Sequence, residues 1–502
     1  MRLLLKGFIC DGLHEPSRNS ILIENDRILA VNPDIYGASA ADKCYSFKNE
    51  IIAPGFIDVH GHSDLALAAA PEAFSKRSQG FTAEICGNCG LSPFPLTEKN
   101  FEHIRELYAG YEIDISWRTL PEYQNFMASR QPQLRLFSLC GHNTLRAAAA
   151  GYEQKNLTPA ELNTMKQLLT QTLQNGALGM SSGLLYVPGC FAAPGEIVEL
   201  MQILAKYDKI YATHLRSEGG ELLESLAETL ECAERAHLRR VQISHFKTAR
   251  EENWHKLDAA LELIDRYRKH GMDVRVDRYP YVESQTMLSV ILPEPFRSMG
   301  DSEITRALGD ADARQMLTDK LHHTVTSAQW ARLRLTGAKA PEHRKFIGRH
   351  FSELPVDPAG LTVEILADNA ACATVSAAGM SEQNMHRILQ LEFCMPGSDG
   401  YALTPDKMFG NTHPRSFGSG AKFMRILLDS GISIGKSVAR MTSQPADFFQ
   451  LPQIGILQQG YLADITVFDP ESIDCQADFT NPSQTATGIK MSFLAGKPLI
   501  CG

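Results

Sequence analysis

The sequence predicts an α/β protein: a (β/α)8 TIM-like barrel, a small β-sandwich domain built from both chain ends, and a subdomain inserted over the barrel mouth. Three observations carry that expectation. Helix-like and strand-like segments alternate through the middle of the chain, both ends read as hairpins, and one central stretch is too long for an ordinary connection.

Near the N-terminus, SILIENDRILAV (20–31) alternates apolar and polar residues around a polar turn, the pattern of a half-buried hairpin. YLADITVFDP (461–470) and TGIKMSFLAGKPLI (487–500) repeat the pattern, with Ala495-Gly496-Lys497 as a turn. Neither end has enough strands to bury a face alone, so residues 1–52 and 441–502 are expected to share one domain. Between them eight segments read as strands: FIDVH (56–60), FTAEIC (81–86), RLFSLC (135–140), ALGMSS (177–182), IYATH (210–214), RVQISH (240–245), DVRVDRYPY (273–281) and EFCMPGSD (392–399). Helical segments separate them. Thr158-Pro159-Ala160-Glu161 has a capping-box pattern with proline at the first helical position, and Gly271 is placed as a helix stop. Eight strands fit a barrel spanning 53–285 and 350–440, and the excess length at 286–349 marks the insert. ATVSAAG (373–379) is a ninth strand candidate that competes for the last places.

The 502 residues are 44% hydrophobic and 21% charged, as in soluble globular proteins. A formal charge of −9 is spread along the chain without a basic block, which argues against nucleic acid as a partner. No apolar run is long enough for a membrane span, and MRLLLKGFICDG is too short in apolar residues for a signal peptide. Eleven cysteines, an odd and scattered set, suit reduced thiols in a cytoplasm. Oligomeric state has no signature here.

Metal-ligating residue types fall at the ends of the predicted strands. His60 and His62 end the first, Cys89 follows the second, His214 ends the fifth, His245 the sixth and Asp399 the eighth. In a barrel those ends converge on one face, and residues i and i+2 of a strand point the same way. His214 or His245 alone reads equally well as a packed or surface residue; it is the shared position that argues for a site. Imidazoles and a thiol with one carboxylate suit zinc better than magnesium or calcium. The Cys86-Gly-Asn-Cys89 frame lacks both the context of a redox dithiol and the second pair of a zinc knuckle. Cys89, in a glycine-flanked turn, is read as a thiolate ligand and Cys86 as a packing residue.

The motifs PGFIDVHGHSD (54–64), GNCGLSP (87–93), GALGMSSGLLYVPG (176–189), THLRSEG (213–219), SHFK (244–247), DRYPY (277–281), PGSDG (396–400), HPRSFG (413–418) and GYLADITVFDP (460–470) follow in order over nearly the whole chain. In them the sequence resembles the D-aminoacylase (N-acyl-D-amino-acid deacylase) family of the amidohydrolase superfamily. The resemblance implies a tightly held zinc on Cys89, His214 and His245, and a second, weaker site on His60, His62 and Asp399. It makes the cysteine stand in for the bridging lysine of other members, since ALGMSSGLLY contains none. Asp399 matches the general base; Lys247, Tyr279 and Arg415 match residues that hold the substrate's α-carboxylate, and Tyr186 matches an active-site tyrosine. The chain departs from the family after the YPY motif. Gln285 stands where a serine is expected, with Ser284 beside it as the alternative contact, which bears on substrate identity more than on reaction type.

The implied activity is hydrolysis of N-acyl-D-amino acids, small molecules that would be the chain's partners. Two other readings compete: a cyclic-amide hydrolase of the dihydroorotase or hydantoinase type, and a metal-free binding scaffold, since fold alone does not prove activity.

Overall fold

The computed structural model describes residues 1–33, 41–370, 373–408 and 413–500. The N-terminal segment supplies β1 (Arg2–Ile9), β2 (Ser17–Glu24), β3 (Arg27–Val31) and β4 (Lys43–Pro54). The middle supplies β5 (Phe56–Asp58), β6 (Phe81–Cys86), β7 (Arg135–Ser138), β8 (Cys140–Gly141), β9 (Gly179–Gly183), β10 (Ile210–His214), β11 (Arg240–Ile243) and β12 (Asp273–Arg278). Then follow β13 (Glu283–Met287), β14 (Leu333–Gly337), β15 (Thr374–Ala378) and β16 (Cys394–Pro396), and finally β17 (Ile465–Phe468), β18 (Ile489–Leu494) and β19 (Lys497–Ile500).

The two ends meet in one seven-stranded sheet of order β19-β18-β17-β4-β1-β2-β3. Its hairpins turn where the sequence placed them, at Asn25 (φ +57°) and at Ala495-Gly496 (φ +49° and +72°), conformations that match the twist of the flanking strands. The β3 edge bends back to meet the chain before β17 through an Arg27–Leu462 bridge, and Ala463 N–H donates to Asp26 O at 2.8 Å. Leu3, Leu5, Ile21, Ile52, Ile465 and Phe493 fill the fold so formed. The expected sandwich is therefore one continuous sheet curled on itself, not two separately bonded layers.

Each of the eight central segments forms a strand, with RLFSLC divided between β7 and β8. They lie in two parallel sheets, β5-β6-β7 and β8-β9-β10-β11-β12-β16. Helices Pro194–Lys206, Leu222–Arg235 and Leu257–Lys269 connect β9 through β12, the last stopping before Gly271 at φ +95°. Helix Pro159–Gln174 opens on the Thr158–Glu161 capping box. Backbone hydrogen bonds join the two sheets at both margins: Leu178 N–H to Ser138 O, and Val59 N–H to Pro396 O, each 3.0 Å. One apolar cluster takes Ile57, Ala83 and Ile85 from the first sheet and Ile210, Ala212 and Met395 from the second, with Phe448 and Ile454 beneath.

The insert has its own antiparallel sheet, β13-β15-β14, and its own core of residues such as Leu288, Phe296, Leu317, Leu335, Phe351 and Val375. ATVSAAG is the central strand of the insert and takes no place in the parallel sheets, and the insert's core runs past residue 349 to β15. The reason is that a short apolar alternation marks a strand without naming its partner.

Candidate metal centre

Five of the six expected ligands, His60, Cys89, His214, His245 and Asp399, fall into two overlapping groups at the C-terminal ends of the parallel strands, and His62 stands beside Asp399 of the first. Ligand atoms of His60, Cys89, His245 and Asp399 fall within 4.8 Å of one another, as do those of His214, Glu218 and His245. Cys89 Sγ is 3.4 Å from both His60 Nε2 and His245 Nε2, and His62 Nε2 is 3.0 Å from Asp399 Oδ1. The His214 and His245 rings are 4.5 Å apart.

Local sequence explains how these side chains are aimed. A Cβ on Gly61 would lie 1.8 Å from Glu84 Oε1, so only glycine fits between the two histidines. Cys89, His245 and Asp399 adopt φ of +52°, +36° and +51° just beyond β6, β11 and β16. Such left-handed positions cost about 1–3 kcal/mol each outside glycine and concentrate at functional sites. Asp277, fully buried on β12, ties two ligands together. Its carboxylate lies 3.2 Å from His60 Nδ1 and accepts the His245 backbone N–H at 2.9 Å. Glu218 does the same for the other group, with Oε1 2.9 Å from His245 Nδ1. Carboxylates placed in this way fix the tautomer and direction of a ligating imidazole.

The donor set fits a soft cation. Burial alone would raise the Cys89 thiol, yet the adjacent His60 and His245 rings hold it well below its ordinary value. Burial would likewise lower the histidines, but Asp277 and Cys89 raise His60, and Asp399 and Cys89 push His62 up to about 9. Asp399 is buried, but Arg415 and His62 keep its carboxyl well below the usual carboxylate range. The group thus favours positive charge, and a bound cation would displace protons from it. Both ring nitrogens of buried His214 lack a hydrogen-bond partner, and Nε2 lies 3.7 Å from Glu218 Oε2, so the ring has a nitrogen free to meet a cation.

The ligand group opens into a cavity of about 390 Å³ whose lining includes Tyr186, Lys247, Tyr279, Ser284, Gln285 and Arg415. Arg415 Nη1 donates to Asp399 Oδ2 at 2.6 Å, while its buried Nε has no partner. Its guanidinium stacks 5.2 Å from the Tyr279 ring, whose buried hydroxyl is also unpartnered. Lys247 Nζ is engaged by Glu218 and lies 2.9 Å from His245 Nδ1. Tyr186 Oη meets Thr286 of the insert at 3.0 Å. Ser284 and Gln285 sit on β13, bonded to Ala377 O and to Thr336 Oγ1 at 3.5 and 3.3 Å. Cys86 is buried with its S–H on Glu84 at 3.0 Å.

Residues 144–498 match the Amidohydrolase family. Over 495 residues the chain is 30% identical to the N-acyl-D-glutamate deacylase of Alcaligenes xylosoxydans xylosoxydans, covering 98% of this chain and 91% of that one. The chain belongs to the amidohydrolase family, in its N-acyl-D-amino-acid deacylase branch. The D-aminoacylase of the same organism is 29% identical over 506 residues, covering 99% and 94% of the two chains. Among solved amidohydrolases, the N-acyl-D-glutamate deacylase of Bordetella bronchiseptica, complexed with zinc and a phosphonate inhibitor, matches with a TM-score of 0.83 at 28% identity. It covers 99% of this chain and 96% of that one. A dihydropyrimidinase from Brevibacillus agri NCHU1002 reaches 0.54 at 12% identity over 100% and 95% of the chains, a likeness of fold alone.

Sequence reasoning passed over Asp277 and Glu218. Each lies inside a quoted motif, DRYPY or THLRSEG, at or just beyond the end of a strand that neighbours a ligand histidine. That adjacency is the signal that could have found them.

Proposed function

We propose that this chain is a zinc-dependent amidohydrolase that cleaves the amide of N-acyl-D-amino acids, giving a carboxylate and a free D-amino acid. One observation carries the reading: a thiol, imidazoles and a carboxylate are gathered in one buried group at the base of a cavity. The two parallel sheets are read as a closed (β/α)8 barrel, supported by the hydrogen bonds at both margins and the apolar cluster they share. Cys89, His214 and His245 would hold one zinc tightly, and His60, His62 and Asp399 a second more weakly. Bound zinc supplies Lewis acidity and lowers the pKa of water to about 7.

Asp399 is the general base. Kept anionic beside Arg415, it takes a proton from the attacking water and returns it to the departing amine nitrogen, so one carboxylate serves both transfers. The unpartnered Arg415 Nε and Tyr279 hydroxyl, with the Lys247 charge, face the substrate's α-carboxylate. Tyr186 closes over the site through its bond to Thr286. Among the described residues no helix is long and apolar enough to cross a membrane, and all the described cysteines are free, which supports a reducing compartment.

The test is hydrolysis of a panel of N-acetyl and N-formyl D- and L-amino acids, with hydantoin and dihydroorotate included, by protein whose zinc content has been measured. Turnover of D-configured linear amides, lost on chelation and restored by zinc, is expected. Zinc-loaded protein that opens the cyclic amides and spares every linear one would overturn the proposal.

A further inference from the structure

A fully buried imidazole stands beside Arg415 and takes no part in the proton transfers or in holding zinc. His413 opens the HPRSFG motif, two positions before Arg415, which begins helix Arg415–Asp429. Both of its nitrogens meet main-chain groups. Nδ1 accepts the Arg415 N–H at 3.1 Å, and Nε2 lies 3.0 Å from the carbonyl oxygen of Glu283, which is 130 residues away on β13. Burial and the Arg415 charge lower the ring well below its ordinary value, so it is neutral. A neutral imidazole has one acceptor and one donor. With Nδ1 accepting, Nε2 holds the proton and donates it to Glu283 O.

Helix capping alone does not account for this residue. The Arg415 amide is one of the orphan donors of a helix start, and a short serine, threonine or asparagine side chain is the usual acceptor there. The longer imidazole bonds a second stretch of chain at the same time. Tyr279, Tyr281 and Phe479 enclose it edge-on, with ring centroids 6.1, 5.6 and 4.9 Å away, which fixes its plane. What the ring joins is the substrate end of the site. On one side Arg415 gives Nη1 to Asp399 and keeps a buried, unpartnered Nε. On the other, Ser284 and Gln285 follow Glu283 along β13 and line the cavity. Glu283 is itself held: its carboxylate accepts from Ser376 Oγ at 2.6 Å and lies 3.3 Å from Arg334 Nη2. The place of the arginine is thus referred to the insert as well as to the parallel strands.

Resting on the deacylase reading, we infer that His413 is a positioning residue: by holding the first turn of the Arg415 helix to β13 with both nitrogens, it sets the grip of Arg415 on the substrate's α-carboxylate. Misplacement of a binding group by about 1 Å can cost on the order of 10²-fold, so a brace of two hydrogen bonds has a measurable effect on that grip.

The test compares the best N-acetyl-D-amino acid of the panel with its α-carboxamide, following release of the free α-amine by full-length, zinc-loaded protein. The acid-to-amide ratio of kcat/KM reads the grip on the carboxylate, and as a ratio it does not depend on how much of a variant folds. His413→Asn keeps an acceptor near the place of Nδ1 but is too short to reach Glu283 O. His413→Gln reaches Glu283 O but gives up the acceptor for the Arg415 N–H. In each variant the ratio should fall about tenfold or more, chiefly through a raised KM for the acid. An unchanged ratio in either variant overturns the inference, whatever stability is lost, because the ring then only caps or fills. A parent enzyme that does not prefer the acid to its carboxamide overturns it too, and leaves the deacylase reading standing. A parent inert toward every N-acyl-D-amino acid removes both.

Discussion

Two buried polar groups share β5, β6 and the chain that follows them, and they differ in completeness. In the first, Lys76 Nζ donates to Asp58 at 2.6 Å and to Ser398 Oγ at 2.7 Å, and lies 3.1 Å from Glu84. Ser63 and Cys86 supply further donors to Glu84. Burial would lower Lys76, but its two carboxylates raise it, so the cluster contains its own cation. In the second, around Cys89, the donors converge on a space, and His214, Tyr279 and Arg415 keep polar atoms without partners. Buried polar atoms are nearly always paired, so the incomplete group is the one built for something that arrives from outside. The complete group holds the strands that aim it.

The sharpest way to break this comparison is to alter the incomplete group without touching its scaffold. Asp399→Asn keeps the shape but cannot accept the water's proton. We expect kcat to fall about 10²–10⁴-fold, the usual worth of a general base, with the zinc on Cys89, His214 and His245 retained. Near-normal turnover would take Asp399 out of the proton-transfer role.

Lys76→Met attacks the complete group. It leaves Asp58 and Glu84 buried without a cation, a change that costs about 3–5 kcal/mol when one partner of a buried pair is removed. Denaturant titration should show that loss, while the protein that remains folded still binds zinc. A small stability change combined with loss of zinc would reverse the assignment of the two groups.

The ligand residues were legible because type and position coincide: a histidine, cysteine or aspartate at the end of each of five strand-like segments cannot be seen as chance packing for all at once. The Cys89 turn was legible through its glycines. Lys76 was not, because a lysine in Phe74–Arg77 reads as a solvated helix residue, and only the packing of that helix over β5 and β6 hides it. Insert boundaries were obscured for a related reason: Thr374–Ala378 has the alternation of any half-buried strand, and its partners β13 and β14 lie about 40 to 90 residues away in sequence. Asp277 and Glu218 have no spacing rule, since their contact with the ligands depends on how the parallel strands align, as in Ile243 opposite Val276.

Asp277 gives the subtlest test, because it acts on the incomplete group from the scaffold side. Its carboxylate accepts from Gln242 Nε2 and the His245 N–H, and faces His60 Nδ1. When a cation displaces its other proton, His60 keeps the one on Nδ1 that faces this carboxylate, and Nε2 presents its lone pair toward Cys89 and Asp399. Asp277→Asn preserves volume and keeps one acceptor, but an amide N–H turned to Nδ1 favours the other tautomer and takes away that lone pair. Removing such a supporting carboxylate usually weakens metal binding about 10–100-fold. Competition titration with a chelator should show zinc affinity falling by that factor, at unchanged helix content and with much smaller loss of stability than Lys76→Met. Zinc affinity equal to the parent's would mean that His60 is aimed by the backbone alone.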